Sequence, residues 1–255
     1  MTDPAQIFSL SGSIALVTGA SGVLGAHFAR VLHAAGARVV LAARRAEALA
    51  ALAAELGERA TAVALDVTDP AGVSRAFDAA EAAFGPCDVI INNAGIAVTR
   101  PVLQQTPEDW DSVLGVNLRG CFLVATEGAR RLVTAQRPGS IVNIASVLGQ
   151  RVIPGVAGYT AAKAGLLHLT RQMAVELARH RIRVNALAPG YVETPLNREF
   201  FASEAGQAMI RRVPQRRLGR VEDLTGPLLL LASPAGAHMT GATLVVDGGH
   251  SVNPL

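Results

Sequence analysis

Ile14-Ala15-Leu16-Val17-Thr18-Gly19-Ala20-Ser21-Gly22-Val23-Leu24-Gly25 is the stretch whose reading decides the fold. Four apolar residues bounded by Gly12 and Gly19 form a short buried strand. The segment from Gly25 to Ala35, stopped by Gly36, has the pattern of a helix. A strand, a glycine turn and a helix in that order aim backbone N–H groups and the positive end of the helix dipole at an anion. Glycines permit the tight turn and let a pyrophosphate approach the backbone. A glycine turn alone is a weak signal, because any strand-to-helix connection can be glycine-rich. Its place after the first strand gives it weight.

The same alternation continues along the chain. Strands are expected at residues 39–41, 61–65, 89–91, 141–144, 184–188 and 244–246. Helices are expected at 47–56, 70–84, 107–136, 159–178 and 221–232, with a mixed polar stretch over 194–217. The strands are continuously apolar rather than alternating, the pattern of strands covered on both faces. With no internal repeat, low-complexity tract or linker, residues 1–255 read as one α/β domain. Its expected architecture is doubly wound, a seven-stranded, mostly parallel sheet with helices on both faces.

Composition narrows the function classes. Half of the 255 residues are hydrophobic and 17% are charged, enough for a large core. Residues 1–11 lack the basic and long apolar regions of a signal peptide, and no apolar run reaches the ~18 residues that span a bilayer. Cys87 and Cys121 have neither close spacing nor His neighbours, so no disulfide framework or metal site is expected, and both read as small buried apolar residues in a reducing, cytoplasmic compartment. The net charge of +3 is mild, and no aromatic residues interleave with Arg211-Arg212 or Arg216-Arg217, so nucleic acid is not an expected partner.

Three further strand ends complete a dinucleotide site. Asp66, ending the third strand, is placed to accept from an adenine amino group, although Asp66 or Asp69 is also placed to cap the helix at Pro70. Asn92-Asn93-Ala94-Gly95, ending the fourth, is a small polar surface against which a ribose or ring can lie. The second strand runs Leu41-Ala42-Ala43-Arg44-Arg45. An acidic residue there would accept from a ribose 2′-hydroxyl, whereas two arginines pair with a 2′-phosphate. The expectation is NADP(H), with NAD(H) as the alternative, because loop arginines also stack on adenine without reading phosphate.

Ser146 follows the fifth strand, Tyr159 comes thirteen residues later, and Lys163 lies four beyond that. Tyr159 and Lys163 share a helix face. A phenol in water titrates near ~10, too high for an efficient base at neutral pH; a neighbouring ammonium favours its deprotonated form. Such a group can take a proton from an alcohol or give one to a nascent alkoxide, while the Ser146 hydroxyl holds the oxygen.

The chain resembles a classical short-chain dehydrogenase/reductase over essentially its full length. The pieces that carry the resemblance are the Thr18 glycine turn, Asp66-Val67, Asn92-Asn93-Ala94-Gly95, Val116-Asn117-Leu118, Ser146, Tyr159 with Lys163, Pro189-Gly190 and Asp247-Gly248-Gly249. The resemblance implies a Rossmann fold and a catalytic tetrad of Asn117, Ser146, Tyr159 and Lys163. Asn117 would anchor a water in a proton relay, and Lys163 would also bind the nicotinamide ribose. The cofactor would meet Gly19, Ser21, Gly22, Leu24, Gly25, Arg44, Asp66, Val67, Asn93, Ala94 and Gly95. Pro189 and Gly190 would be followed by Val192 and Thr194 at its nicotinamide end. A homotetramer is implied as well. The chain departs from the family at the turn: the usual spacing is Thr-Gly-x-x-x-Gly-x-Gly, and here Gly22 comes one residue early while Val23 holds the usual central glycine position.

The substrate, a ketone or secondary alcohol, is expected between the loop carrying Leu148, Gln150, Val152 and Ile153 and a lid at about 191–213 that offers Leu196, Phe200, Phe201 and Met209. That lining is largely apolar; Arg151 and Arg198 are the residues able to reach an acidic group. A 3-oxoacyl reductase and a sugar or polyol dehydrogenase both fit. A dinucleotide-sensing protein without turnover would not need Ser146, Tyr159 and Lys163, and methyl transfer from S-adenosylmethionine leaves Tyr159 and Lys163 unexplained.

Overall fold

The computed structural model describes residues 6–194 and 197–253. Seven parallel strands form one sheet in the order β3-β2-β1-β4-β5-β6-β7. They are β1 (Ile14–Thr18), β2 (Arg38–Ala43), β3 (Ala60–Ala64), β4 (Val89–Asn92), β5 (Gly139–Ile144), β6 (Ile182–Pro189) and β7 (Thr243–Val246). Every strand is parallel to its neighbours, so the expected architecture is found without an antiparallel exception.

The helices are α1 (Val23–Ala34), α2 (Ala46–Leu56), α3 (Pro70–Phe84), α4 (Pro107–Leu114), α5 (Cys121–Thr134), α6 (Ala157–Leu177), α7 (Arg198–Ala202), α8 (Glu204–Arg212) and α9 (Thr225–Ala232). Alternate residues of a strand enter opposite layers. Ala15 and Val17 pack with Phe28 and Leu32 of α1, Leu49 and Leu52 of α2, and Leu228 and Leu231 of α9. Ile14 and Leu16 pack instead with Val73 and Phe77 of α3, Val124 and Leu132 of α5, and Met173 of α6. Burial on both faces explains the unbroken apolar strands.

One expected element differs. The helix read over 107–136 is α4 and α5 joined by a π-helical turn, Gly115–Gly120. Such turns concentrate at functional sites, and this one carries Asn117. Packing sets it in place, because a Cβ on Gly120 would lie 2.7 Å from Val67 Cγ2. The polar stretch 194–217 holds the two short helices α7 and α8.

The chain order reverses between β1 and β4, and sites in open parallel sheets lie at the carboxyl ends of the strands beside such a reversal. Thr18, Asn92, Ile144 and Pro189 all end strands at that edge.

Candidate active site

The nucleotide half is made chiefly of backbone. After Thr18 the chain turns at Gly19 (φ +66°), where a Cβ would lie 3.0 Å from Ala94 Cα. At Gly25 a Cβ would fall 2.2 Å from the Gly19 carbonyl oxygen, so the first turn of α1 can approach the loop only with glycine there. Gly22 takes the N-cap position of α1 without a side-chain cap, which leaves first-turn N–H groups for an anion. The displaced glycine is accommodated in this way, and Val23, 44% exposed, is itself part of the lining of the cleft that the turn borders.

β4 holds this loop from the other side. Thr18 Oγ1 accepts from the Asn93 and Ala94 backbone N–H groups, both at 3.0 Å, and Asn93 Nδ2 donates to the Thr18 carbonyl at 3.0 Å. The result is a cleft of about 670 Å³. Gly19, Ser21, Gly22, Leu24, Gly25, Arg44, Asp66, Val67, Asn93, Ala94, Gly95 and Thr194 line it.

The two arginines after β2 both line the cleft and divide in what holds them. Arg45 donates to the Ser21 carbonyl at 2.6 Å and to Ser21 Oγ at 3.3 Å, clamping the glycine turn. Arg44 stays on the cleft wall near Asp66. The two aspartates divide as well. Asp69 caps α3 by accepting from Ala71 N–H, whereas Asp66 accepts from the Thr68 backbone N–H at 2.9 Å and the Thr68 hydroxyl at 2.7 Å. Those bonds, first the backbone one, hold the Asp66 carboxyl below the usual carboxylate range, with Arg44 helping.

Lys163 carries the other half. It is 4% exposed, and its Nζ donates to the Ile144 carbonyl at 2.7 Å. The same Nζ lies 5.6 Å from the centroid of the half-buried Tyr159 ring, one helical turn earlier on α6. Ser146 caps the turn after β5, its Oγ accepting from Leu148 N–H at 3.1 Å, so its own O–H remains a donor. Asn117 is fully buried: its Oδ1 accepts from Ile96 N–H at 2.8 Å and its Nδ2 donates to the Ile96 carbonyl at 2.7 Å. The carboxamide is therefore tied at both ends to one backbone residue, with one Nδ2 hydrogen left over. A Cβ on Gly95 would lie 3.2 Å from Asn117 Oδ1 and 3.8 Å from Lys163 Nζ. Gly95 also lines the nucleotide cleft, so the two halves share a wall.

Not every expected residue reaches the cleft. Pro189 and Gly190 close β6, and a Cβ on Gly190 would lie 2.3 Å from Asp247 Cβ, so that glycine serves contact with the turn after β7. Val192 is 8% exposed, bridges to Gly219, and sits beside a separate cavity with Tyr191 and Asp247. On the substrate side Leu148 packs into a small cluster with Val147 and Val156. Arg198 pairs with Glu193 at 3.1 Å, and Phe201 is buried edge-on to Tyr191 while Phe200 is 48% exposed. Leu196 lies outside the described residues. Burial pushes the Cys87 thiol up to about 12, and Cys121 is raised by burial too, so both behave as apolar residues.

A polar chain that the sequence reading missed ties the halves together beneath the site. Asn92 Nδ2 donates to Asn143 Oδ1 at 2.9 Å and to the Cys121 carbonyl at 3.2 Å, and Asn143 Nδ2 donates to Thr170 Oγ1 at 2.9 Å. All three side chains are buried. The signal was available: an asparagine inside an otherwise apolar strand needs a partner.

Residues 19–251 match the protein family described as enoyl-(acyl carrier protein) reductase. The chain is 40% identical over 253 residues to gluconate 5-dehydrogenase of Gluconobacter oxydans, covering 97% of this chain and 98% of that one. It is 35% identical to 3-oxoacyl-[acyl-carrier-protein] reductase of Escherichia coli, covering 94% and 98%. The crystal structure of a gluconate 5-dehydrogenase from Burkholderia cenocepacia in complex with NADP and tartrate superposes with a TM-score of 0.94 at 38% identity, covering 98% of this chain and 99% of the other.

Proposed function

The chain belongs to the classical short-chain dehydrogenase/reductase family, and we propose that Tyr159 exchanges the hydroxyl proton in its reaction, with Lys163, Ser146 and Asn117 in support. The protein is an NAD(P)-dependent oxidoreductase that interconverts a ketone and a secondary alcohol. The cleft fits the cofactor: Gly19 and Gly25 let β4 and α1 close tightly on the turn that lines it, and α1 begins with amides that no side chain caps. A nicotinamide dinucleotide, when bound, supplies or accepts the hydride.

Tyr159 gives its proton to the oxygen of a ketone being reduced, or takes it from an alcohol being oxidised. Lys163 has no carboxylate partner among the described residues and is held by one carbonyl. Its ammonium stabilises the negative charge that grows on the phenolic oxygen as the proton leaves, an effect strengthened by burial. Ser146 donates to the substrate oxygen. Asn117 positions: its carboxamide staples the π-helical turn to Ile96, so a relay water would be held by the backbone of that turn. The carrying observation is the approach of both Lys163 Nζ and Asn117 Oδ1 to the Cβ position of Gly95, a residue of the nucleotide wall.

Arg44 on the cleft wall supports NADP(H) over NAD(H), and a relative of the same fold binds NADP. Residues 1–255 act as one unit, with the segment at about 191–213 as a lid over the substrate. A homotetramer is supported by the apolar side chains of Trp110, Phe122 and Val175, exposed at 40%, 45% and 79% on α4, α5 and α6. The compartment we assign is the cytoplasm; no helix among the described residues is long and apolar enough to cross a membrane. The test is NADPH oxidation with a panel of ketones, followed at the reduced nicotinamide absorbance. Turnover with some ketone, reduced at least ~100-fold by Tyr159→Phe, is the expected result. Binding without any turnover would favour a sensing protein, and turnover insensitive to the change would remove Tyr159 from its role.

A further inference from the structure

The buried polar chain beneath the site touches every element that carries a member of the proton-transfer group. Asn92 and Asn143 are register partners on β4 and β5. Asn92 precedes Asn93 of the nucleotide wall, and its Nδ2 also donates to the carbonyl of Cys121, the residue that follows the π-helical turn bearing Asn117. Asn143 comes just before Ile144, whose carbonyl accepts from Lys163, and shortly before Ser146. Thr170, at the other end of the chain, stands on α6 two helical turns beyond Lys163.

Apolar packing alone would not choose this chain. The positions two residues earlier on the same strands, which share its face, are Ile90 and Ile141, both in the apolar layer under α3, α5 and α6. Asn92, Asn143 and Thr170 are at most 1% exposed, and Asn92 Oδ1 has no hydrogen-bond partner among the described residues. An unpaired buried carbonyl oxygen costs stability, whereas apolar residues of similar shape in place of a hydrogen-bonded set are often neutral. What the amides contribute is direction: a hydrogen bond fixes where two elements meet, and apolar contact does not.

The helix α6 needs such a fixed point. Leu166 and Leu167 rest on Cys121, Ala145, Ala186 and Ala188, small side chains that give little hold along the helix axis. The close contact at Gly165, where a Cβ would lie 3.0 Å from Leu118 Cδ2, sets how near the helix comes and not where along the sheet it stops. Lys163 reaches the Ile144 carbonyl on a flexible four-carbon stem that can follow an axial movement. Thr170 cannot follow one. Its side chain is short and β-branched, its hydroxyl donates to the Leu166 carbonyl at 2.8 Å, and its oxygen accepts from Asn143 Nδ2 at 2.9 Å.

We propose that Asn143 and Thr170 are positioning residues for the reaction, fixing α6 along β5 so that Tyr159 meets the substrate oxygen held by Ser146. The proposal rests on the acid–base reading of Tyr159 above and names what places that residue. Asn143→Val is the informative variant, because each neighbour keeps a partner: Asn92 Nδ2 still has the Cys121 carbonyl, and the Thr170 hydroxyl still has that of Leu166. With the ketone of the panel that turns over fastest, its kcat should fall by about 10-fold or more, as small misplacements of a reacting group do, while KM stays within ~3-fold. The NADPH Kd, read by calorimetry, should also stay within ~3-fold, and Tm should change little. The solvent deuterium isotope effect on kcat should rise, because a misplaced phenol slows proton transfer. Thr170→Val should lose as much rate at a lower Tm, since it leaves Asn143 Nδ2 unpaired, and Thr170→Ser, which keeps the hydroxyl, should recover most of that rate.

Crystal structures of wild type and Asn143→Val should show α6 moved along β5. An unmoved helix overturns the proposal, as does a Thr170→Ser variant as slow as Thr170→Val. A kcat within ~2-fold of wild type for Asn143→Val, in an enzyme that Tyr159→Phe disables, overturns this proposal alone. A rate loss that only follows a fallen Tm, with an unchanged isotope effect, assigns the chain to stability and overturns it too. Absence of turnover with every ketone of the panel, or turnover indifferent to Tyr159→Phe, defeats the acid–base reading and takes this proposal with it.

Discussion

The nucleotide half and the substrate half of the site occupy the same edge of one sheet, yet they are built from different materials. The first is backbone: Gly19 and Gly25 allow chain segments to touch, and Thr18 and Asn93 lock two strand ends together. The second is side chain: Arg151, Tyr191 and His250 come from three separate segments and line one cavity of about 890 Å³. A backbone cradle admits few alternatives to glycine and is common to every ligand that carries a pyrophosphate. A side-chain lining can change one residue at a time without disturbing the sheet. The comparison teaches that one half states the reaction and the other chooses the molecule.

That division can be broken or sharpened by experiment. The largest expected effect lies in the proton-transfer group: Tyr159→Phe should lower kcat/KM by at least ~100-fold while the NADPH Kd changes less than ~3-fold. A parallel loss of nucleotide affinity would merge the two halves. Next, Gly25→Val should cost about 1–3 kcal/mol by overpacking, read as a lower Tm, and should weaken NADPH binding with it. Unchanged binding would mean that the close approach of α1 to the loop is not what forms the cradle. A smaller and more selective effect is expected for Arg44→Ala, about 10-fold on the NADPH Kd and less than ~2-fold on that of NADH. Equal losses would show that Arg44 does not read the phosphate. The smallest concerns the turn after β7. Burial raises the Asp247 carboxyl, but the bonds from Ser251 and Gly249 and the nearby His250 outweigh it and hold the group below its ordinary value. Its stabilisation is then complete above the ordinary carboxylate range near ~4 and disappears as pH falls through the depressed value. Asp247→Asn should flatten the acid limb of a Tm-against-pH curve by less than ~1 kcal/mol, since the group is partly solvated. An unchanged acid limb would detach Asp247 from the turn that presents His250.

The same contrast explains what the sequence disclosed. A glycine that must be glycine leaves a mark, so Gly19 and Gly25 announced the turn, and apolar strands without alternation announced a sheet covered on both faces. Tyr159 and Lys163 were readable because one helical turn separates them. The π-helical turn at Gly115–Gly120 was not, because its backbone register depends on Asn117 reaching Ile96 and on Gly120 meeting Val67, contacts absent from local pattern. Arg45 looked identical to Arg44 until the fold put Ser21 beside it. Tyr191 and His250 carry no periodic signal at all; only the return of the chain after β7 brings their rings together.

The lock between Thr18 and Asn93 joins residues 75 positions apart in the chain. The cradle therefore cannot exist as a local element: it comes into being only when β4 has docked on β1. Any excursion that lifts β4 dissolves the nucleotide site, and by mass action the nucleotide must oppose that excursion. Dinucleotide should accordingly slow proteolytic cutting between residues 93 and 106 more than cutting near α8, turning occupancy of the cleft into a gauge of how firmly the centre of the sheet is closed.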